Sequence, residues 1–317
     1  MASFIGFFKI IRPLNLLFIV LAQFLVRYAI ILPAFEIYNI EPTLNFLNFS
    51  LLVLSTVLIA AGGYVINDYF DVKIDYLNKP KKVFIDNNIS RKTAMKAHVI
   101  LSVLGVISGI YLSYIIGNFS LSIIFPVVAG LLWFYSTTYK KQALIGNFIV
   151  SFLTGLILLM VVLFEPKLLD LEILGIRYIA LPVLYTVVAY AFFAFWVSLV
   201  REIIKDLQDM QGDIAFGCET LPIKIGIPKT KLIVAVLIVI QIALIGFIQL
   251  QYLDTQYYEI QQGRFLYIFI FIQLPMVYIL YKLRRADKAA DFQVMSNIVK
   301  FVMLAGILSM PVFQFII

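Results

Sequence analysis

Nine stretches of about 20 apolar residues constrain this chain more than any other feature of it. They fall at 13–33, 46–66, 97–116, 119–138, 146–164, 178–199, 232–250, 264–281 and 298–317. A run of that length crosses the ~30 Å hydrocarbon core of a bilayer as a helix. In hydrocarbon every backbone N–H and C=O must be bonded inside the chain, which leaves only helices or closed barrels. Barrel strands are about 10 residues long and alternate in polarity. These runs do neither, so the expected fold is all-α, a polytopic membrane bundle of nine transmembrane helices. Composition agrees, because 62% hydrophobic and 14% charged residues exclude a soluble globular enzyme and a disordered chain. The single cysteine, Cys218, excludes a disulfide scaffold and any Cys-based zinc or iron–sulfur site. The first span follows Lys9 and Arg12 with no A-x-A cleavage site and reads as a retained helix.

The basic residues orient the bundle. Lys and Arg accumulate on the cytoplasmic side of membrane proteins. Placing the N-terminus there puts 21 of the 25 basic residues in the N-terminal segment and the even-numbered loops, and leaves Arg27, Lys167, Arg177 and Arg264 elsewhere. The expected protein is therefore a multi-pass protein of the cell membrane, N-terminus cytoplasmic and C-terminus outside. Its net charge of +7 follows from topology and implies no nucleic acid partner. Arg27, about 14 residues into the first span, is expected to snorkel toward the outer surface. His98 reads as an interfacial residue.

The acidic residues carry the functional signal. Of 18, seven lie in outer loops (Glu36, Glu41, Glu165, Asp170, Glu172, Asp254, Glu259) and read as solvated. Eight of the remaining eleven form two short clusters at cytoplasmic helix ends: Asp68, Asp71 and Asp75, then Glu202, Asp206, Asp209, Asp213 and, more loosely, Glu219. The first reads NDYFDVKID, from Asn67 to Asp75. With Asp68 at 0°, Asn67 falls at about −100°, Asp71 at about −60° and Asp75 at about −20°, all on one helix face. The second reads REIIKDLQDMQGD, from Arg201 to Asp213. With Asp206 at 0°, Glu202 falls at about −40°, Asp209 at about −60° and, if the helix persists past Gly212, Asp213 at about −20°.

Like charges one turn apart repel, and carboxylates at a membrane boundary are costly to leave unneutralised. Oxygen ligands in a chain with one His and one Cys point to a hard cation, Mg²⁺ or Ca²⁺. Mg²⁺ completes its shell with water and phosphate oxygens, so two such stripes with Lys and Arg nearby describe a diphosphate clamp. The alternative is that both are solvated helix ends paired with Lys73, Lys205 and Arg201. Neither cluster has EF-hand spacing. A diphosphate at the end of an apolar bundle suggests a polyprenyl diphosphate. Aromatics such as Phe192, Phe193, Phe195, Trp196, Trp133, Phe134 and Tyr135 could shield an allylic cation, or simply face lipid and pack.

The two motifs resemble the aspartate-rich motifs of the UbiA family of intramembrane prenyltransferases, a family that also has nine helices. The similarity runs from Arg12-Pro13 to about Gly226. GYVINDYFDVKIDYLNKP, YSTTYKKQALIGN and the REI-KD-D-GD run with Thr220-Leu221-Pro222-Ile223 are most similar to the branch that includes archaeal digeranylgeranylglyceryl phosphate synthase. One departure is Lys81-Lys82-Val83-Phe84-Ile85-Asp86, where that branch has an Arg-Pro-rich segment.

The resemblance implies that Asn67, Asp71 and Asp75 hold one Mg²⁺ and Asp209 with Asp213 a second, both bridged by the diphosphate. It makes Asp71, Asp209 and Lys140 catalytic and gives Asp68 and Asp206 supporting or acceptor-side roles. Arg201, Lys79, Lys205 and Asn15 would bind the diphosphate. The other reading of Lys140 is a positive-inside residue like Lys141. The expected domain is one transmembrane prenyltransferase domain over 1–317, with cytoplasmic cap segments at about 67–96 and 200–231. The implied reaction transfers a polyprenyl group to a lipid hydroxyl of the geranylgeranylglyceryl phosphate type or to an aromatic ring of quinone biosynthesis. A cation-coupled transporter is the rival from another class.

Overall fold

The computed structural model describes residues 2–170, 172, 175–251 and 258–312. Among them, nine helices are long and apolar enough to cross a membrane. In chain order the helices are α1 (Ala2–Ile10), α2 (Pro13–Glu36), α3 (Phe46–Asn78), α4 (Arg91–Ile115), α5 (Phe119–Thr137), α6 (Ile145–Leu163), α7 (Ile176–Ala215), α8 (Leu221–Ile225), α9 (Ile227–Leu250), α10 (Gln262–Arg285) and α11 (Ala289–Val312). The nine spans are α2 to α7 and α9 to α11, in agreement with the hydropathy reading. Residues 313–317 of the ninth expected span and the acidic Asp254 lie outside the described residues. No β-strand occurs among the described residues, only the isolated bridges Ile85↔Ile89 and Gln142↔Glu219.

Local chemistry sets the helix limits. Asn45 caps α3 by accepting the Asn48 N–H at 2.9 Å, and Ser90 caps α4 by accepting the Thr93 N–H at 3.1 Å. Two spans contain a π-helical turn, Val26–Ile31 in α2 and Phe269–Gln273 in α10. Each ends just before a proline, Pro33 or Pro275, and in each the last N–H before it reaches five residues back, Leu32 to Arg27 O and Leu274 to Phe269 O. A proline has no N–H to donate and its ring crowds the carbonyl four residues earlier, so the wider turn takes up the mismatch. Hydropathy alone carries no trace of these turns.

The described residues form two compact units, 1–141 with 156–191 and 142–155 with 192–316. In the first, α3 and α4 approach closely at Gly105. A Cβ there would lie 2.7 Å from Ile59 Cγ1, and Ser55 Oγ donates to the Gly105 carbonyl at 2.6 Å. Small residues of this kind are how helices pack in lipid, where apolar surface gives no drive to associate. At the end of α3 that carries the first acidic run, Val83, Ile85 and Ile89 are buried with Ile10 of α1 and Val72 of α3. The departure at 81–86 thus supplies packing residues beneath the N-terminal helix. In the second unit α7 is buried against α9, α10 and α11, where Trp196 Nε1 donates to Leu237 O at 2.9 Å and Gln273 Nε2 to Gln249 Oε1 at 2.8 Å.

Three expectations are corrected. Glu165, read as a solvated loop charge, is 1% exposed, and its carboxylate accepts the Thr43 and Leu44 N–H groups at 2.8 and 3.0 Å. Arg27 does not extend into solvent: it is 5% exposed, with its guanidinium 4.9 Å from the centre of the Phe49 ring and 5.4 Å from that of Tyr28. The two ring faces attract the cation and take the place of water. His98, expected at the membrane interface, packs inside the protein. It is buried, and its Nδ1 donates to the Gly62 carbonyl at 2.9 Å.

Candidate functional site

Both acidic clusters ride on helices that outrun their apolar spans. α3 has 33 residues and α7 has 40, against the ~20 a bilayer requires, so each carries its carboxylates on continuous helix. α7 persists past Gly212 to Ala215, which is the condition for Asp213 to share the face of Asp206 and Asp209.

In the first unit the structure joins three of the expected residues. Asn67 Nδ2 donates to Asp71 Oδ2 at 2.9 Å across one helical turn, and the Lys140 ammonium is hydrogen-bonded to Asp71 Oδ1. Lys140 is largely buried, at 11% side-chain exposure, whereas Lys141 is exposed. This separates Lys140 from the positive-inside residues. It is fixed by the short helical turn Tyr139–Lys141 that follows α5. Asp68, on the same helix, is paired with Arg12 at 2.5 Å. Arg12 holds φ 54°, a left-handed conformation that a non-glycine residue adopts only under constraint, directly before Pro13. Burial opposes the charge on Arg12, but the hydrogen-bonded Asp68 together with Tyr64 and Asp71 outweighs it and holds the guanidinium above its ordinary pKa. Asp75 and Lys79 lie at the end of α3, where the Lys79 N–H closes on Asp75 O at 2.8 Å. Asn15 is half-buried in the first turn of α2, its N–H on Arg12 O at 2.8 Å.

In the second unit, Asn147 near the start of α6 donates from Nδ2 to Asp206 Oδ2 at 2.8 Å. Arg201 and Lys205 both bind Glu202. Glu202, which periodicity groups with the carboxylate stripe, is therefore engaged by its own neighbours; local pairing holds for this residue. Asp209 and Asp213 follow on α7, and the Cys218 N–H bonds Asp213 O at 2.9 Å past the helix end.

The donor set suits a hard divalent cation. The Asn67 Oδ1 atom is buried with no hydrogen-bond partner, beside the Asp71 carboxylate to which the same amide donates. A buried carbonyl oxygen left this way is costly unless something electropositive meets it. Among the described residues no group of three or more His, Cys, Asp or Glu gathers as a ready metal cluster. An amide oxygen and single carboxylates are a partial set of the kind Mg²⁺ completes with water and phosphate oxygens.

Sequence reasoning missed Arg12 as the partner of Asp68 and Asn147 as the partner of Asp206, whereas the pairing of Glu202 with Arg201 and Lys205 was its alternative reading. The RP pair and the Gly146-Asn147 pair were visible, but no periodicity links residues 56 or 59 positions apart.

Carboxylates, an amide and cations at the ends of membrane-spanning helices suit an intramembrane enzyme acting on a phosphorylated lipid. The family is shown directly: residues 30–304 match the UbiA prenyltransferase family, and the chain belongs to it. It is a multi-pass membrane protein. Digeranylgeranylglyceryl phosphate synthase of Methanobrevibacter smithii is 31% identical over 83% of this chain and 84% of that protein. The Methanosarcina mazei protein of the same name is 33% identical over 65% of this chain and 64% of its own length. A solved structure concerning digeranylgeranylglyceryl phosphate synthase in membranes aligns with a TM-score of 0.59 at 24% identity, covering 98% of this chain and 99% of that one. A UbiA homolog from Archaeoglobus fulgidus, solved with DMAPP and Mg²⁺, aligns with a TM-score of 0.55 at 13% identity, covering 95% and 98%. These two structures are likenesses of fold.

Proposed function

We propose that the protein transfers a polyprenyl group from a polyprenyl diphosphate to a lipid hydroxyl of the geranylgeranylglyceryl phosphate type, with Mg²⁺ as cofactor. The observation that carries the reading is the Asn67–Asp71–Lys140 arrangement, an oxygen donor pair beside a largely buried ammonium. The relatives named digeranylgeranylglyceryl phosphate synthase and the Mg²⁺-bound fold neighbour support it.

In this reading Asn67, Asp71 and Asp75 hold one Mg²⁺ and Asp209 with Asp213 a second. When bound, the metal supplies Lewis-acid stabilisation of the leaving diphosphate. Lys140 and Arg201 bind phosphate oxygens as charge-assisted donors, with Lys205, Lys79 and Asn15 as further contacts. Lys140 is hydrogen-bonded to Asp71, which sets its ammonium beside the oxygen donors proposed for the metal. The C–O bond to diphosphate breaks, the acceptor hydroxyl oxygen bonds to the allylic carbon, and the hydroxyl proton passes to a base on the acceptor side. Asp68 and Asp206 are the residues proposed for that side, each oriented by a partner, Arg12 or Asn147. The apolar spans exclude the water that would quench the cation.

The purified protein, given radiolabelled geranylgeranyl diphosphate with geranylgeranylglyceryl phosphate, dihydroxynaphthoate or hydroxybenzoate, should form a labelled prenyl glyceryl ether. Transfer only to an aromatic acceptor would move the assignment to quinone biosynthesis, and no transfer to any would reject it.

The proposed orientation places the acidic helix ends in the cytoplasm, following the basic residues. Alkaline phosphatase fused to the C-terminus should be active in a bacterial host. An inactive, fully expressed fusion reverses the topology.

A further inference from the structure

Glu202 stands among the carboxylates of the second acidic run, yet its side chain is engaged with cations. One oxygen accepts from Arg201 Nη1 at 2.8 Å and the other from Lys205 Nζ at 2.8 Å. The exposures are ordered: 8% for the Glu202 side chain, 23% for Arg201 and 28% for Lys205. The carboxylate is thus the most buried of the three, and both cations stay partly exposed. Arg201 Nε is buried without a hydrogen-bond partner, so the guanidinium fork is not saturated by the protein. An ammonium offers three N–H donors and a guanidinium five, more than one carboxylate can accept.

We infer that Glu202 is a positioning residue that pre-orients Arg201 and Lys205 so that their remaining donors meet the substrate diphosphate. The inference rests on the reading above that these two cations bind diphosphate. Arg and Lys are among the side chains that lose most rotamer freedom when fixed, and a carboxylate that already fixes both removes that cost from binding. Glu202 also has an opposing effect, because its charge partly cancels the field that attracts a diphosphate. The two effects differ in sign under one substitution. Glu202→Gln keeps the shape and deletes the charge, but its amide accepts from one cation and turns N–H toward the other. If neutralisation were the role of Glu202, the variant would bind diphosphate more tightly. If positioning is, it binds more weakly.

The test is steady-state kinetics on the full-length protein at saturating Mg²⁺, with inorganic pyrophosphate as a competing probe. Glu202→Gln should raise KM for the prenyl diphosphate and the inhibition constant for pyrophosphate by about tenfold, the scale of one charge-assisted hydrogen bond, with kcat within about threefold of the original. Glu202→Asp, which keeps the charge but is one methylene shorter, should fall between, and it serves where the glutamine variant does not fold. An unchanged or lower KM in a folded variant overturns the inference, as does a lost kcat at unchanged KM or a shifted Mg²⁺ requirement. Arg201→Gln measured in parallel separates the two readings. If it leaves KM unchanged, the diphosphate role of Arg201 fails; if it raises KM while the Glu202 variants do not, positioning alone fails.

Discussion

Asp71→Ala abolishes transfer: turnover is expected to fall by about 10³-fold or more, the scale of a metal-held transition-state charge worth several kcal/mol. Two things leave together. The carboxylate beside the Asn67 oxygen is lost as a ligand, and Lys140, largely buried, loses its partner. Asp71→Asn separates them, because an amide of the same shape still accepts from Lys140 but brings no charge to a cation. An asparagine variant as inactive as the alanine one assigns the effect to the metal; one near original activity assigns it to Lys140. Asp209→Ala should lose activity to a similar extent. Both should keep the helical circular dichroism and elution of the original protein, since the spans are held by apolar and small-residue packing, and the Lys140 ammonium left by Asp71→Ala lowers stability without unfolding the bundle. Turnover within about threefold of the original in either alanine variant rejects the proposed chemistry.

Chelation should be equally severe. With EDTA in excess, product formation is expected to fall to background and to return on adding Mg²⁺, because a diphosphate leaving group flanked only by Lys and Arg keeps most of its developing charge uncompensated. The proposed pair of ions predicts more. At low free Mg²⁺ and fixed substrate, the logarithm of the rate should rise with the logarithm of Mg²⁺ with a slope approaching two, whereas a slope of one limits the site to a single essential ion. Full activity in EDTA removes the metal from the mechanism.

Much of this was legible from residue order. The nine spans follow from hydropathy, which is a local sum over about 20 residues and does not depend on what packs where. The common face of Asp68, Asp71 and Asp75 follows from the 3.6-residue repeat, once α3 is known to run on past its apolar part to Asn78. The REI-KD-D-GD and NDYFDVKID runs carried the family, because motif spacing is preserved in the chain itself.

Tertiary structure decided which charge answers which. Periodicity gave Asp68, Asp71, Asp206 and Glu202 equal standing as members of stripes. The fold pairs Asp68 with Arg12 and Asp206 with Asn147, engages Glu202 with its neighbours, and sets Asp71 between Asn67 and Lys140. It likewise buried His98 on a backbone carbonyl and stacked Arg27 on two rings, where sequence placed both at the membrane surface. The reason is physical. A helix's period and a span's hydropathy are set by residues within a turn or a few of one another, and so can be read along the chain. A buried charge takes its nearest compatible partner in space, here up to 69 positions away, and only the packing of the helices determines which residue that is.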